Sequence, residues 1–134
     1  MILLDTNICI AVMNGRPESV LERLDRAVAR HGRATVSTIS IFELRYGVAK
    51  SARAISNAQN LDVFLTALNI LSFEDEDARI AGKIRAELER AGRPIGPYDY
   101  LIAAQAIRHE LTLISANEKE FSRVTALRLE NWLA

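Results

Sequence analysis

Cysteine and histidine are scarce in this chain of 134 residues, and their scarcity excludes some kinds of site. The single cysteine, Cys9, cannot form an internal disulfide, and its apolar neighbours predict a small buried side chain in a reducing compartment. The two histidines, His31 and His109, are isolated near predicted helix ends, where we expect them to be exposed. Together these residues provide no histidine-cysteine set to hold zinc.

Long hydrophobic runs are also missing. No apolar stretch approaches the roughly 18 to 20 residues that span a membrane, and the N-terminus lacks the basic region and cleavage site of a signal peptide. We therefore expect a cytoplasmic protein with no membrane contact. With 49% hydrophobic and 25% charged residues the composition is that of a globular protein, and we expect residues 1–134 to form a single domain.

The chain has no excess of either charge. Seventeen basic and 17 acidic residues give a formal net charge of zero, which argues against the general basic surface of a non-selective nucleic-acid binder. Local basic patches are compatible with this balance. Only Lys50, Lys83 and Lys119 are lysines, and the remaining basic residues are arginines, which grip phosphates bidentately. Arginine-biased codons of a GC-rich genome would give the same composition, and both explanations stay open.

Short apolar segments alternate with longer segments of helical spacing. Strands are predicted at 2–4, 34–38, 68–73 and 111–115, with a further candidate, "ALRLEN", near the C-terminus. Helices are predicted at 17–31, 39–51, 55–67, 76–91 and 98–109. This alternation predicts an α/β fold with a mostly parallel sheet of four to five strands flanked by helices. The acidic stretch "EDED" at 74–77 is best explained as a first helical turn favoured by the helix dipole, in preference to a metal site.

Three acidic residues fit their apolar surroundings poorly. Asp5 ends the first strand in "MILLDTNICI", Glu43 lies in "SISIFELRYGV", and Asp99 lies near the start of "PIGPYDYLIAAQAI". Asp5 can also be explained as the cap of a helix that begins at Thr6, and Asp99 as a first-turn acid after Pro97. Glu43 is harder to explain in this way. An ionised carboxylate among apolar residues is costly without a positive neighbour, and no basic residue stands four positions away.

The α/β topology predicts that these three acids meet. The carboxyl ends of parallel strands and the N-termini of the following helices lie at the same edge of the sheet, where ligands bind. The segment "SANEKEF" leaves the fourth predicted strand at this edge and adds Asn117, Glu118 and Glu120. Converging carboxylates require a counter-charge, and oxygen ligands select Mg²⁺ or Mn²⁺. Metal-assisted phosphodiester hydrolysis is the reaction class that follows.

Four segments in this order resemble the PIN-domain ribonucleases and, among them, the VapC toxins of bacterial toxin–antitoxin pairs. The segments are "LLDTNICI", "SISIFELRYGVAKS", "IRAELERAGRPIGPYDYLIAA" and "LISANEKEF". The resemblance covers nearly the whole chain. It implies a single PIN domain over residues 1–134 and a Mg²⁺-dependent endoribonuclease, with Mn²⁺ as an alternative ion. The segments "DTN", "NICI" and "RPIGPYD" are most similar to the subgroup that cuts initiator tRNA in the anticodon stem-loop and so arrests translation.

The resemblance also implies roles for individual residues. It makes Asp5, Glu43 and Asp99 the acidic, metal-binding residues of the catalytic site. The family often has a fourth acid, commonly aspartate, after the fourth strand. Here Glu120 and Asn117 are the candidates, and Glu120 is preferred because asparagine cannot contribute charge.

Further residues are expected beside these acids. The resemblance places the hydroxyl of Thr6 next to the site, where it orients a carboxylate or a water molecule. Arg45, Arg85 and Arg93 are candidate phosphate contacts, the last because "GRPIG" leads directly to Asp99. A solvated surface position is the alternative for each arginine.

The implied partners are proteins and nucleic acids. They are a second copy of the chain in a homodimer, an RNA substrate, and a VapB-type antitoxin that wraps the toxin with an extended C-terminal segment and blocks the acidic site. Operator DNA is bound only through the antitoxin in the complex. The helices at 39–51 and 55–67 are candidate groove and dimer surfaces, with core packing as the alternative use of their apolar residues.

Two other functions compete with nuclease activity. A catalytically silent PIN scaffold that binds protein or DNA with its antitoxin predicts loss of the acids, and all three are present. A phosphate-transfer domain with Asp5 as acceptor, of the haloacid-dehalogenase-like pattern, needs an aspartate where Asn7 stands.

Overall fold

The computed structural model describes residues 1–134 and has a parallel sheet flanked by helices on both faces. The elements in chain order are β1 (Ile2–Leu4), α1 (Thr6–Asn14), α2 (Glu18–His31), β2 (Thr35–Ser37), α3 (Thr38–Ala49), α4 (Ala54–Thr66), β3 (Asn69–Leu71), α5 (Asp75–Arg90), α6 (Pro97–Arg108), β4 (Thr112–Ile114), α7 (Glu118–Phe121) and β5 (Leu129–Glu130). The strand order is β3-β2-β1-β4-β5, and every strand pair is parallel. The predicted α/β class is confirmed, with β5 as the fifth strand.

The sheet separates two apolar cores. Successive side chains of a strand point to opposite faces, so Leu4 of β1 packs into the core formed with α1 to α4, whereas Leu3 packs into the core formed with α5 and α6. Both residues are fully buried, as expected for a central strand covered on both faces. In α6, Ala103, Ala104 and Ala106 are buried, and their small side chains let this helix approach its neighbours closely.

The predicted segments lie close to the observed elements, and the differences concern short helices. Helix α1 begins at Thr6, as the capping explanation of Asp5 requires. Helix α7 has only 4 residues, too few to show a helical period in the sequence, and was not predicted. No helix combines the length and hydrophobicity that a membrane span requires.

The acidic first turn of α5 contains a buried carboxylate. Asp77 is fully buried, and its Oδ2 accepts a hydrogen bond of 2.8 Å from the backbone N–H of Glu74. Nη1 of Arg108, near the end of α6, donates to Oδ1 of Asp77 at 3.2 Å. The "EDED" segment is therefore the first turn of a helix, as predicted. His109 is partly buried, 4.0 Å from Asp77 Oδ1, so the prediction of an isolated, exposed histidine was wrong because α6 ends against α5.

We expect Asp77→Ala to lower the free energy of unfolding by about 2 to 4 kcal/mol, because it leaves the Glu74 N–H and the Arg108 cation without their acceptor. Urea unfolding can be followed by the fluorescence of Trp132, the single tryptophan, which is buried. The matched control is Asp75→Ala in the same turn, whose side chain is 82% exposed and should contribute no more than about 0.5 kcal/mol. Equal, small effects of both variants would contradict a stabilising role of Asp77.

Candidate active site

The carboxylate that follows β1 is buried, and each of its oxygens accepts one hydrogen bond. Asp5 is 6% exposed. Its Oδ1 accepts from the backbone N–H of Thr6 at 2.9 Å, and its Oδ2 accepts from the hydroxyl of Ser115 at 2.7 Å. Burial raises the pKa of Asp5, and the hydrogen bonds from Ser115 and Thr6 offset part of this rise. Asp5 thus caps α1 with one oxygen and faces the end of β4 with the other.

Glu43 is held beside Asp5 by a hydrogen bond from α1. Its Oε1 accepts from the hydroxyl of Thr6 at 2.7 Å. Thr6 therefore donates to both acids, through its backbone N–H to Asp5 and through its hydroxyl to Glu43. The predicted apolar surroundings of Glu43 are incomplete, because Phe42 and Tyr46 are 54% and 60% exposed. No cation forms an ion pair with Glu43, so a neutral hydroxyl is its polar partner.

A second group of polar side chains forms around the first turn of α6. The amide Nδ2 of Asn117 donates to Oδ2 of Asp99 at 3.2 Å and to Oε2 of Glu120 at 2.7 Å. Both candidates for the fourth position therefore lie beside Asp99. Gly96, immediately before α6, leaves room for this pair, since a Cβ there would lie 3.1 Å from Oδ2 of Asp99.

Electrostatic repulsion links the two groups of acids. Burial, the hydrogen bond shared with Glu120, and the negative charges of Asp5, Glu120 and Glu43 raise the pKa of Asp99 to about 7. The pKa of Glu120 is lowered, chiefly by the hydrogen bond from Asn117. Below about pH 7 the carboxyl pair therefore retains a proton, and this proton resides on Asp99. The carboxyl groups lie so close together that they cannot all stay ionised without a cation.

The donor set fits a hard divalent cation. Carboxylate oxygens of Asp5, Glu43, Asp99 and Glu120 are available, and no nitrogen or sulfur ligand accompanies them. The side chains are not arranged as a ready-made metal site, since no three acidic, histidine or cysteine residues are grouped to hold an ion. Their oxygens are instead directed at hydroxyl and amide donors. Filling the site with a cation would require Asp99 to lose its proton.

Ser115 was missed by sequence reasoning. It is fully buried at the end of β4, donates to Asp5, and accepts a hydrogen bond of 3.0 Å from the backbone N–H of Asn117. It therefore connects the two groups of site residues. The signal was a polar residue that ends the apolar run "LTLIS", the same feature that pointed to Asp5 at the end of β1.

The candidate arginines divide into paired and unpaired residues. Arg45 forms an ion pair with Asp62 at 2.7 Å, and Arg85 with Glu89 at 3.1 Å. Both guanidinium groups thus have partners within the chain. Arg93 is exposed between α5 and α6 and makes no ion pair. It is the one of the three that remains free to meet an external anion.

An apolar groove begins at the acidic cluster. It has a volume of about 690 Å³ and runs between α1, α3 and α4. Glu43 is the only charged residue that lines it, and its apolar lining includes Ile10, Met13, Leu44 and Phe64. The groove can accommodate apolar side chains and present one negative charge to them.

Comparison with known proteins gives long matches. Residues 2–127 match the model of the PIN domain. The chain is 42% identical over 130 residues to ribonuclease VapC2 of Rickettsia felis, which covers 97% of this chain and 96% of that protein. It is 38% identical over 130 residues, with the same coverage, to the tRNA(fMet)-specific endonuclease VapC of Shigella flexneri. A chain in the crystal structure of VapBC2 from Rickettsia felis bound to a promoter DNA fragment superposes with a TM-score of 0.91 at 41% identity, covering 98% of this chain and 99% of that one.

The raised pKa of Asp99 predicts a pH-dependent stability. The folded state holds this proton up to about pH 7, whereas an unperturbed aspartate has a pKa of 3.8. This contribution to stability is complete below the lower value and is lost as the pH rises through about 7. In EDTA, we expect the melting temperature of the unmodified protein to fall relative to that of Asp99→Asn between about pH 5 and pH 8.

Mg²⁺ should reverse this loss at pH 8, since a bound cation stabilises the ionised carboxylates. Calorimetry of both proteins, with and without Mg²⁺, measures the effect. Parallel pH curves for the two proteins would contradict the assigned pKa of Asp99.

Proposed function

Because the chain belongs to the PIN-domain family and is related to VapC ribonucleases along nearly its whole length, we propose that it is the VapC toxin of a type II toxin–antitoxin pair. Its activity in this proposal is endonucleolytic hydrolysis of RNA phosphodiester bonds. The observation that carries the proposal is the cluster of acids around Asp99 at the carboxyl edge of the sheet, where burial and the neighbouring carboxyl groups raise the pKa of Asp99. We also propose that residues 1–134 form one PIN domain, since both apolar cores pack on the same sheet.

The proposed cofactor is Mg²⁺, with Mn²⁺ as an alternative. Asp5, Glu43 and Asp99 are the proposed ligands, and Glu120 is the proposed fourth catalytic carboxylate. When bound, such an ion supplies Lewis acidity toward a phosphodiester oxygen and lowers the pKa of an attacking water. This function explains why oxygen donors are grouped without a balancing arginine or lysine.

The protein's own residues fix and tune these carboxylates. Thr6 and Ser115 hold both oxygens of Asp5, which keeps this side chain in one position. Asn117 holds Asp99 and Glu120 together and favours the charge on Glu120. Asp99 carries the exchangeable proton of the carboxyl pair, and as a ligand of a cation it would be ionised.

The proposed substrate is tRNA, specifically the anticodon stem-loop of the initiator tRNA. The relative from Shigella flexneri, 38% identical, is named a tRNA(fMet)-specific endonuclease. Arg93, exposed in the segment that leads to Asp99, is the proposed phosphate contact at the rim of the site.

The proposed protein partner is a VapB-type antitoxin. The related structure from Rickettsia felis is a VapBC complex on promoter DNA, and we propose that this chain likewise reaches operator DNA through its antitoxin. The groove that ends at Glu43 suits an extended antitoxin segment with apolar side chains and a basic residue directed at the acids. Exposed apolar residues on α3 and α4, including Phe42, Ile55 and Val63, support a homodimer.

We expect Asp99→Asn to fold normally and to lose RNA cleavage by about 100-fold or more, because the substitution removes a site charge with little change in shape. The purified, antitoxin-free protein is incubated with total bacterial RNA and Mg²⁺, and the new RNA ends are sequenced. EDTA should abolish the same ends, and Asp62→Asn, a surface substitution on α4, should retain them.

One dominant cut in an anticodon loop would support both the reaction and the substrate. Undiminished cutting by Asp99→Asn would refute the site assignment. Absence of any protein-dependent ends from the folded protein in Mg²⁺ would favour the silent scaffold.

Glu43→Gln should also lose cleavage, and in EDTA it should raise the melting temperature, because one of the charges that repel Asp99 is removed. The amide oxygen of glutamine can still accept the hydrogen bond from Thr6. Glu118→Gln, an exposed site at the start of α7, is the control and should change neither quantity. A clearly lower melting temperature of Glu43→Gln would indicate that Glu43 has a structural role.

A further inference from the structure

Helix α2 carries its positive charges on one side. Arg23, Arg26 and Arg30 recur at i, i+3 and i+7, which places them in one stripe along the helix. Its acids, Glu18, Glu22 and Asp25, follow a separate stripe of the same period. Although Glu22 precedes Arg26 by four residues, none of the three arginines makes an ion pair within the chain.

The arginine stripe lines a polar cleft of about 340 Å³, which we call the arginine cleft. The C-terminal segment forms its other wall through Glu130 and the buried Trp132. Nε1 of Trp132 donates to Oε1 of Glu130 at 3.3 Å, so the one carboxylate of the cleft has a partner inside the chain. The three arginines therefore face a cleft whose lining contains only one acid, Glu130.

Of the eleven arginines outside the cleft, four have no ion pair or side-chain hydrogen bond within the chain, namely Arg16, Arg53, Arg90 and Arg93. Seven others are ion-paired or donate to a backbone carbonyl, namely Arg33, Arg45, Arg79, Arg85, Arg108, Arg123 and Arg128. The three arginines of the cleft have no such contact. Their charges are available to an anion from outside the chain.

The cleft extends from the start of β1 to the end of β5, where Glu130 pairs with Ile114, which in turn pairs with Leu4 of β1. The acidic cluster follows the end of β1. Ile2, the first residue of this strand, lines the cleft, and Asp5 follows the last. Three strand residues span about 10 Å. Arg23 and Arg30 are separated by a further distance of about 10 Å along α2. A ligand that reaches both sites has to be large, and a ligand that matches the stripe has to carry repeated negative charge.

We propose that the arginine cleft binds the phosphodiester backbone of a folded RNA whose scissile segment lies at the acidic cluster. This inference rests on the proposed function. A protein of zero net charge with an acidic catalytic site repels RNA where it must cut, so the attraction has to come from a local basic surface. Guanidinium groups suit this task because each can grip a phosphate through two parallel hydrogen bonds.

The test compares two triple variants that remove the same charge. One is Arg23→Gln, Arg26→Gln and Arg30→Gln in the cleft. The control is Arg79→Gln, Lys83→Gln and Arg90→Gln on α5, which packs on the other face of the sheet. All six side chains are exposed, so both variants should keep the fold, as melting temperatures will show.

The Kd for initiator tRNA is measured by fluorescence anisotropy over a range of salt concentrations, and cleavage gives KM and kcat. We expect the cleft variant to bind at least about 10-fold more weakly, with a salt dependence of log Kd reduced by about 2, because each lost phosphate contact removes about 0.7 to 0.9. KM should rise with kcat unchanged, since none of the three arginines belongs to the acidic cluster. The control should behave as the unmodified protein.

Several results would overturn the inference. Unchanged KM and salt dependence in the cleft variant, with normal cleavage, would reject the cleft and leave the proposed function intact. If both variants bound tRNA equally weakly, the loss of affinity would come from net charge alone. Intact RNA affinity with loss of antitoxin or operator binding would assign the cleft to those partners. Conversely, RNA binding that depends on the cleft without any cleavage would support the inference and reject the proposed function.

Discussion

Repulsion between carboxylates at one edge of a parallel sheet is the constraint on which the site depends. The sheet fixes Asp5 at the end of β1, and α3 and α6 bring Glu43 and Asp99 to the same edge. Neutral donors then hold these acids in place, so no internal cation cancels their charge. Burial, the hydrogen bond shared with Glu120 and the neighbouring negative charges together raise the pKa of Asp99.

Besides this negative site the chain has two concave surfaces, one apolar and one cationic. The groove between α1, α3 and α4 is apolar and ends at Glu43, which suits a peptide. The arginine cleft lies between α2 and the C-terminal segment and is cationic. The groove, proposed for the antitoxin, and the arginine cleft, proposed for RNA, share no lining residue. Such separation would let RNA make contacts that do not overlap those of a bound antitoxin segment.

The strands and most helices could be predicted from the sequence, and the three main acids could be singled out, because each leaves a local signal. A carboxylate that ends an apolar run, such as Asp5, is visible without knowledge of its neighbours. The role of Ser115 depends on the pairing of β1 with β4, which no local pattern contains. The exposure of Phe42 and Tyr46 was also hidden, since periodicity shows that a helix is apolar but not whether another element covers it. The arginine cleft requires Trp132 to fold back against α2, a contact across a hundred residues.

The double use of Asp5 has an evolutionary consequence. This carboxylate caps α1 and also belongs to the acidic cluster, whereas neither Asp99 nor Glu43 is a helix cap. Under the proposed function, a mutation at Asp5 would damage folding together with activity, while mutations at the other two acids would silence the activity and spare the fold. Lineages under pressure to disarm such a protein would therefore lose Asp99 or Glu43 first and retain Asp5 as a relic of the ancestral enzyme.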